Sequence, residues 1–122
     1  MGSSDKTEAM KQRTKQFALR IIRMFQALPK SEEARVMGRQ VLRSGTSVGA
    51  NYRALCRSRS KAEFISKMNV VVEESDETVF WLELLVEAGI VRERKMIGLM
   101  KESNELLAIL GSALATAKRK PN

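Results

Sequence analysis

Residues 60–88 carry the most regular pattern of apolar and polar positions in the chain, and the rest can be arranged around them. Ile65, Met68, Val72, Ser75, Val79, Leu82 and Val86 step alternately by three and four residues, the spacing that keeps one stripe turned toward a neighbouring helix. A second strip lies roughly opposite. At about 100° per residue, Val70, Glu77, Trp81, Leu84 and Ala88 fall on the far side from Ser75, with Phe80 beside them. A helix in a monomeric bundle needs one apolar stripe. The outer strip of Val70, Glu77, Phe80, Trp81 and Leu84 therefore calls for a second partner, either the edge of the first helix or another subunit. Glu77 inside that strip calls for a cation, which an arginine of another subunit could supply.

Three further stretches show the same periodicity. Over residues 7–28, Phe17, Ile21, Met24 and Leu28 form a seam, and Leu28-Pro29 ends it, because the proline ring disfavours helix at the residue before it. Ser31 can cap the next helix, expected over residues 32–57, with Glu32 and Glu33 well placed against its dipole. Its seam is Met37, Val41, Ser44, Val48, Asn51 and Leu55. Ser60 with Glu63 forms a capping box for the third helix, and Gly89 can take the left-handed cap at its end. The fourth, over residues 92–117, places Met96, Leu99, Ser103, Leu106, Leu110, Ala113 and Ala117 on one face. Four helices of similar length with short connections predict an all-α, antiparallel up-down-up-down bundle over residues 7–118. Residues 1–6 are expected as a disordered lead-in, and residues 119–122 as a basic tail.

Polar residues on those seams carry information. A buried hydroxyl or amide without a partner costs about 1–3 kcal/mol. Ser44, Asn51, Ser75 and Ser103 are therefore expected to form a buried polar layer, with Asn51 hydrogen-bonded across helices. Gly38, Gly45 and Gly49 share the flank of the second helix that bears Tyr52 and Cys56. Each costs about 1 kcal/mol of helix propensity against alanine, so close approach of another helix is the expected reason.

Charge changes the picture more than length does. The 122-residue chain carries a formal net charge of +8, and the excess is uneven: residues 1–61 sum to +10 and residues 62–122 to −2. Such a balance favours polyanions, although a solvated surface alone would account for it. Arg35, Arg39, Arg43, Arg53 and Arg57 project within roughly 80° of one another on the helical wheel, opposite the second helix's seam. Guanidinium forks suit phosphate or carboxylate equally. Arg59 and the tail Lys118, Arg119 and Lys120 extend the basic set.

Other chemistry is largely ruled out by what the sequence lacks. There is no histidine, which removes the histidine-dependent forms of acid–base, nucleophilic and di-iron catalysis. Glu73, Glu74, Asp76 and Glu77 point in several directions and do not converge as metal ligands would, so no cofactor and no enzymatic role are expected. Cys56 is the single cysteine, which points to a reducing cytoplasmic compartment. No apolar run reaches the length of a membrane span.

Several stretches together resemble a known family. QVLRSGTSVGANYRAL at residues 40–55, SRSKAEFISK at 58–67 and ESDETVFWLELL at 74–85 are similar to the four-helix bundle proteins related to 23S rRNA intervening-sequence proteins, and residues 28–31 and 105–118 also fit. Ala54 departs from the pattern, which usually has Glu after Asn-Tyr-Arg, and so removes one intrahelical pairing. The resemblance implies the bundle fold and a ring-like homopentamer. Some members are encoded within ribosomal RNA intervening sequences, and a related branch is the accessory protein of diversity-generating retroelements, a basic bundle associated with nucleic acid and a reverse transcriptase. Two function classes follow. One is a non-enzymatic, oligomeric accessory protein that binds RNA or DNA, alone or with a nucleic-acid-processing protein; the other is a structural assembly module. Where the helix-two arginines come to rest separates them.

Overall fold

The computed structural model describes residues 4–121, and within them the chain forms four α-helices. These are α1 (Asp5–Gln26), α2 (Glu32–Leu55), α3 (Lys61–Glu87) and α4 (Glu93–Arg119). Serines start the first three. Ser4, Ser31 and Ser60 each accept a hydrogen bond from the backbone N–H three residues on, at 3.0, 3.3 and 3.0 Å, satisfying one of the donors a helix start leaves open. α1 thus begins at Asp5, earlier than its apolar pattern indicated, because Ser4 is a better cap than anything near Thr7. Residues 1–3 of the expected lead-in lie outside the described residues.

At the end of α3, Gly89 adopts φ +76°. Its N–H donates to Val86 O, and that of Ile90 to Leu85 O, both at 3.0 Å. This pair of bonds closes the helix because glycine reaches the left-handed region without a Cβ clash.

The helices form an up-down-up-down four-helix bundle. As residue numbers rise along α1 they fall along α2: Thr14 meets Gly49, Ile21 meets Gly45, and Phe25 and Leu28 meet Gly38. α4 runs against α1 in the same manner, with Arg13 beside Glu102 and Arg20 beside Gly98. Short connectors, residues 27–31, 56–60 and 88–92, leave each helix to pack mainly on its sequence neighbours. α1 and α3 are diagonal, with no close backbone approach, and among neighbouring helices α1 and α4 approach each other least.

The core runs the length of the bundle through Phe17, Ile21, Val41, Val48, Val71, Leu82, Leu85, Met96, Leu106 and Leu110, all at most 2% exposed. The glycines of α2 give α1 its close approach. A Cβ on Gly49 would lie 3.2 Å from the Thr14 carbonyl oxygen, and one on Gly45 only 2.8 Å from Ile21 Cγ1.

The inner stripe of α3 is rotated from the expected one. Met68, Ser75 and Leu82 are buried as anticipated, but Val71, Thr78 and Leu85 complete the stripe, whereas Val72, Val79 and Val86 are half-buried at its edge. Both sets share three members at helical spacing, and the tighter α2–α3 packing selects the one that faces α2.

Candidate nucleic-acid interface

The polar layer assembles only in part. Ser44, Ser75 and Ser103 are buried. Thr78, which the periodicity left off the seam, joins Ser44 across the α2–α3 interface: its hydroxyl donates to Ser44 Oγ at 2.9 Å and lies 2.7 Å from the Glu74 carbonyl oxygen. Asn51 corrects the expectation. It is half-buried, and its Nδ2 donates to Ser47 O of its own helix at 2.9 Å, because a side-chain amide can reach the carbonyl one turn back without crossing to a neighbour. The Ser103 hydroxyl finds no hydrogen-bond partner among the described residues.

The arginine fan of α2 divides. Arg43 stands at the edge nearest α3, and its guanidinium pairs with both Glu74 and Glu77 of the same chain. Trp81 Nε1 donates to Glu77 Oε2 at 3.0 Å. Arg43 is therefore committed within the bundle and does not belong with the open basic face. Glu77 likewise needs no cation from another subunit. The reason is register: one turn separates Glu74 from Glu77 on the flank of α3 that faces Arg43, close enough for one fork to bridge both.

Arg53 stands at the edge of the fan nearest α1, where it contributes with Arg57 to a groove between α1 and α2. The groove has a volume of about 360 Å³ and is walled on the α1 side by Glu8, Lys11, Gln12 and Lys15, with Gly49, Ala50 and Thr46 as its floor. Lys11 bonds Glu8 at 3.0 Å. Lys15, Arg53 and Arg57 are exposed and form no ion pair among the described residues. Lys15 was not singled out from sequence. Its signal was there: Lys11 and Lys15 are four apart, as are Arg53 and Arg57, and the glycines of α2 set the register that brings the two pairs face to face.

The remaining cations lie elsewhere. Arg35 and Arg39 are exposed at the opposite end of α2, and Arg35 is about 27 Å from Arg53 along the helix axis at 1.5 Å per residue. Arg59 is almost wholly exposed, with a long contact of 3.6 Å to Glu63. Lys118, Arg119 and Lys120 are exposed at the end of α4, on the same end of the bundle as Arg53 and Arg57. The tail's last residue, at position 122, lies outside the described residues.

The outer strip of α3 remains uncovered in the single chain. Phe80 is 52% and Val70 39% exposed, and Trp81 and Leu84 are half-buried. The Phe80 and Trp81 rings meet edge to face with centroids 5.0 Å apart. Within the chain α1 does not reach this strip, so the expected cover from the edge of the first helix is absent.

α1 and α4 are tied by one ion cluster. Arg13 donates to Glu102 through Nε at 2.7 Å and Nη2 at 2.8 Å, and its Nη2 also reaches Glu105 at 2.9 Å. The Arg13 hydrogen bonds hold the Glu102 carboxyl below its ordinary value, and Glu102 in turn raises the guanidinium. Burial pushes the Cys56 thiol and the Tyr52 phenol up. Cys56 is thus held as a thiol and serves as a small packing residue. Among the described residues no three His, Cys, Asp or Glu side chains converge as metal ligands would, and no helix is long and apolar enough to cross a membrane.

A basic four-helix bundle with an open arginine–lysine groove is the class this architecture defines. The chain belongs to the 23S rRNA-intervening sequence protein family, whose model matches residues 6–112. Among solved structures it is similar to a protein of unknown function from the S23 ribosomal protein family of Bacteroides thetaiotaomicron VPI-5482. The two are 34% identical, the match covers 90% of this chain and 98% of that one, and the TM-score is 0.82. No curated protein matches the chain.

Proposed function

We propose that this protein is a non-enzymatic, self-assembling accessory protein of the cytoplasm that binds nucleic acid, RNA or an RNA–protein complex above all, through the α1–α2 groove. The observation that carries the reading is the meeting of Lys15, Arg53 and Arg57 around one groove, without ion-pair partners among the described residues. Lys15, Arg53 and Arg57, beside the Lys11–Glu8 pair in the same groove, attract a phosphate backbone and carry no base-reading geometry, so binding follows charge and shape. Arg59 and the Lys118–Lys120 tail extend this end of the bundle, and Arg35 and Arg39 offer a second contact at the other. The family's name, which refers to ribosomal RNA, agrees in kind with such a ligand.

Self-assembly rests on the uncovered strip of Val70, Phe80, Trp81 and Leu84. Burying an aromatic and its neighbours contributes several kcal/mol at about 25 cal/mol per Å², and the family resemblance sets the expected number at five. The experiment is direct. Purified protein is measured at 260 and 280 nm before and after a high-salt wash, and the released material is sequenced. Excess absorbance at 260 nm removed by salt supports the reading; failure to bind any RNA or DNA at low salt ends it and leaves the assembly module.

A further inference from the structure

The α1–α4 interface opens at the end opposite the groove. A half-open cleft of about 550 Å³ lies between the last turns of α1 and the first turns of α4. Arg20 and Arg23 project into it from α1, and Arg92 and Lys95 from α4; none of its lining residues is acidic. Among the described residues none of these four cations forms an ion pair. Its wall is apolar, with Met24, Val91 and Leu99.

Three observations make this more than a charged surface. The four cations come from α1 and α4, the neighbouring helices whose backbones approach each other least, so mutual repulsion acts across that interface. Gly98 clears the space beside Arg20: a Cβ there would stand 3.2 Å from Nη2, so the guanidinium lies directly against the α4 backbone. α4 also starts without a side-chain cap, because Arg92 occupies the N-cap position where the other three helices carry serine. A phosphate held between the forks would relieve the repulsion and face the positive end of the α4 dipole. Glu102, the carboxylate that senses Arg20 electrostatically, is already hydrogen-bonded to Arg13.

We propose that this cleft binds a nucleoside phosphate, its phosphates between Arg20, Arg23, Arg92 and Lys95 and its base or sugar against Met24, Val91 and Leu99. The apolar wall argues for an organic phosphate over the inorganic ion. Two sources share that chemistry: a free nucleotide, and the 5′-phosphorylated end of a nucleic-acid strand.

Calorimetric titration of the full chain with ADP, and separately with inorganic phosphate, tests the site. ADP is expected to bind at least tenfold more tightly than phosphate. Arg20→Gln with Arg92→Gln should weaken ADP at least tenfold, and Gly98→Met, a good helix former that fills the cleft beside Arg20, should do the same; circular dichroism checks that each variant keeps its helices. A short RNA with a 5′-phosphate, compared with the same RNA ending in a 5′-hydroxyl, separates the sources: preference for the phosphorylated end assigns the strand terminus, and ADP binding without that preference assigns the free nucleotide. The groove variant Lys15→Gln/Arg53→Gln/Arg57→Gln should leave ADP binding unchanged, so the two sites can fail independently. Absence of both ADP binding and a 5′-phosphate preference, equal affinity for phosphate and ADP, or ADP binding that the cleft variants do not weaken would each overturn the assignment.

Discussion

Thr78 donates a hydrogen bond to Ser44 across the α2–α3 interface at 2.9 Å, while the Ser103 hydroxyl, equally buried on α4, has no partner among the described residues. The two serines should respond oppositely to the same substitution. Ser44→Ala is expected to cost about 0.5–1.5 kcal/mol, the net worth of one buried hydrogen bond, whereas Ser103→Ala should be neutral or stabilising by up to about 1 kcal/mol because it removes an unsatisfied group. Urea unfolding of the two variants checks this. Equal losses would mean that Ser103 also contributes a bond to the native state.

The Arg13–Glu102 pair predicts a pH dependence. The folded-state value of Glu102 is lowered, chiefly by hydrogen bonds from Arg13. Its contribution is therefore complete above the ordinary carboxylate value of 4.5 and is lost as pH falls through the lower folded value. Arg13→Gln should cost about 1 kcal/mol at neutral pH and flatten the stability profile on that acid limb. A variant whose acid limb matches the wild type would contradict the assignment.

Backbone contact at Gly49 sets the α1–α2 distance. A Cβ there meets the Thr14 carbonyl at 3.2 Å, and backbone cannot move aside as the tip of a side chain can. Gly49→Ala should thus lose stability despite its gain of about 1 kcal/mol in helix propensity. Gly111 on α4 has nothing within 4 Å of its Cβ position, and Gly111→Ala should gain that amount. Thermal unfolding of the pair gives shifts of opposite sign if the packing is as described.

Trp81 reports on assembly. With Phe80 52% exposed beside it, the half-buried Trp81 indole is partly accessible to iodide in an isolated chain. In the oligomer it should be shielded. Phe80→Ser should lower the sedimenting mass more than it lowers helicity, and iodide quenching of Trp81 should rise with it. A wild-type monomer at micromolar concentration, its Trp81 freely quenched, would remove self-assembly from the account.

Much of the bundle was legible before any coordinates. Ser31, Ser60 and Gly89 mark helix ends by local chemistry that needs no tertiary partner, and the three-four spacing of α4 holds through Met96, Leu99, Ser103, Leu106 and Leu110, after which Leu114 is buried in place of the expected Ala113 and Ala117. α3 was harder, because a helix apolar on two sides has no unique phase: Met68, Ser75 and Leu82 fit either stripe, and only packing against α2 chose Thr78 over Val79. The site was less legible still. A wheel of α2 alone places Arg43 with Arg53, but one is held by Glu74 and Glu77 on α3 while the other lines a groove with Lys15 on α1. The cleft of Arg20, Arg23, Arg92 and Lys95 unites residues about seventy positions apart, and single-helix periodicity carries no signal for it.

The central claim is that Lys15, Arg53 and Arg57 form the phosphate-binding groove and that Arg43 does not. RNA affinity measured against salt tests it most directly, since each phosphate neutralised on a single strand contributes about 0.7 to the magnitude of the log–log slope. The account predicts a steep slope for the wild type, a reduction of about 2 for Lys15→Gln/Arg53→Gln/Arg57→Gln, and little change for Arg43→Gln. A slope that the triple variant leaves intact, or that Arg43→Gln lowers as much, would contradict it.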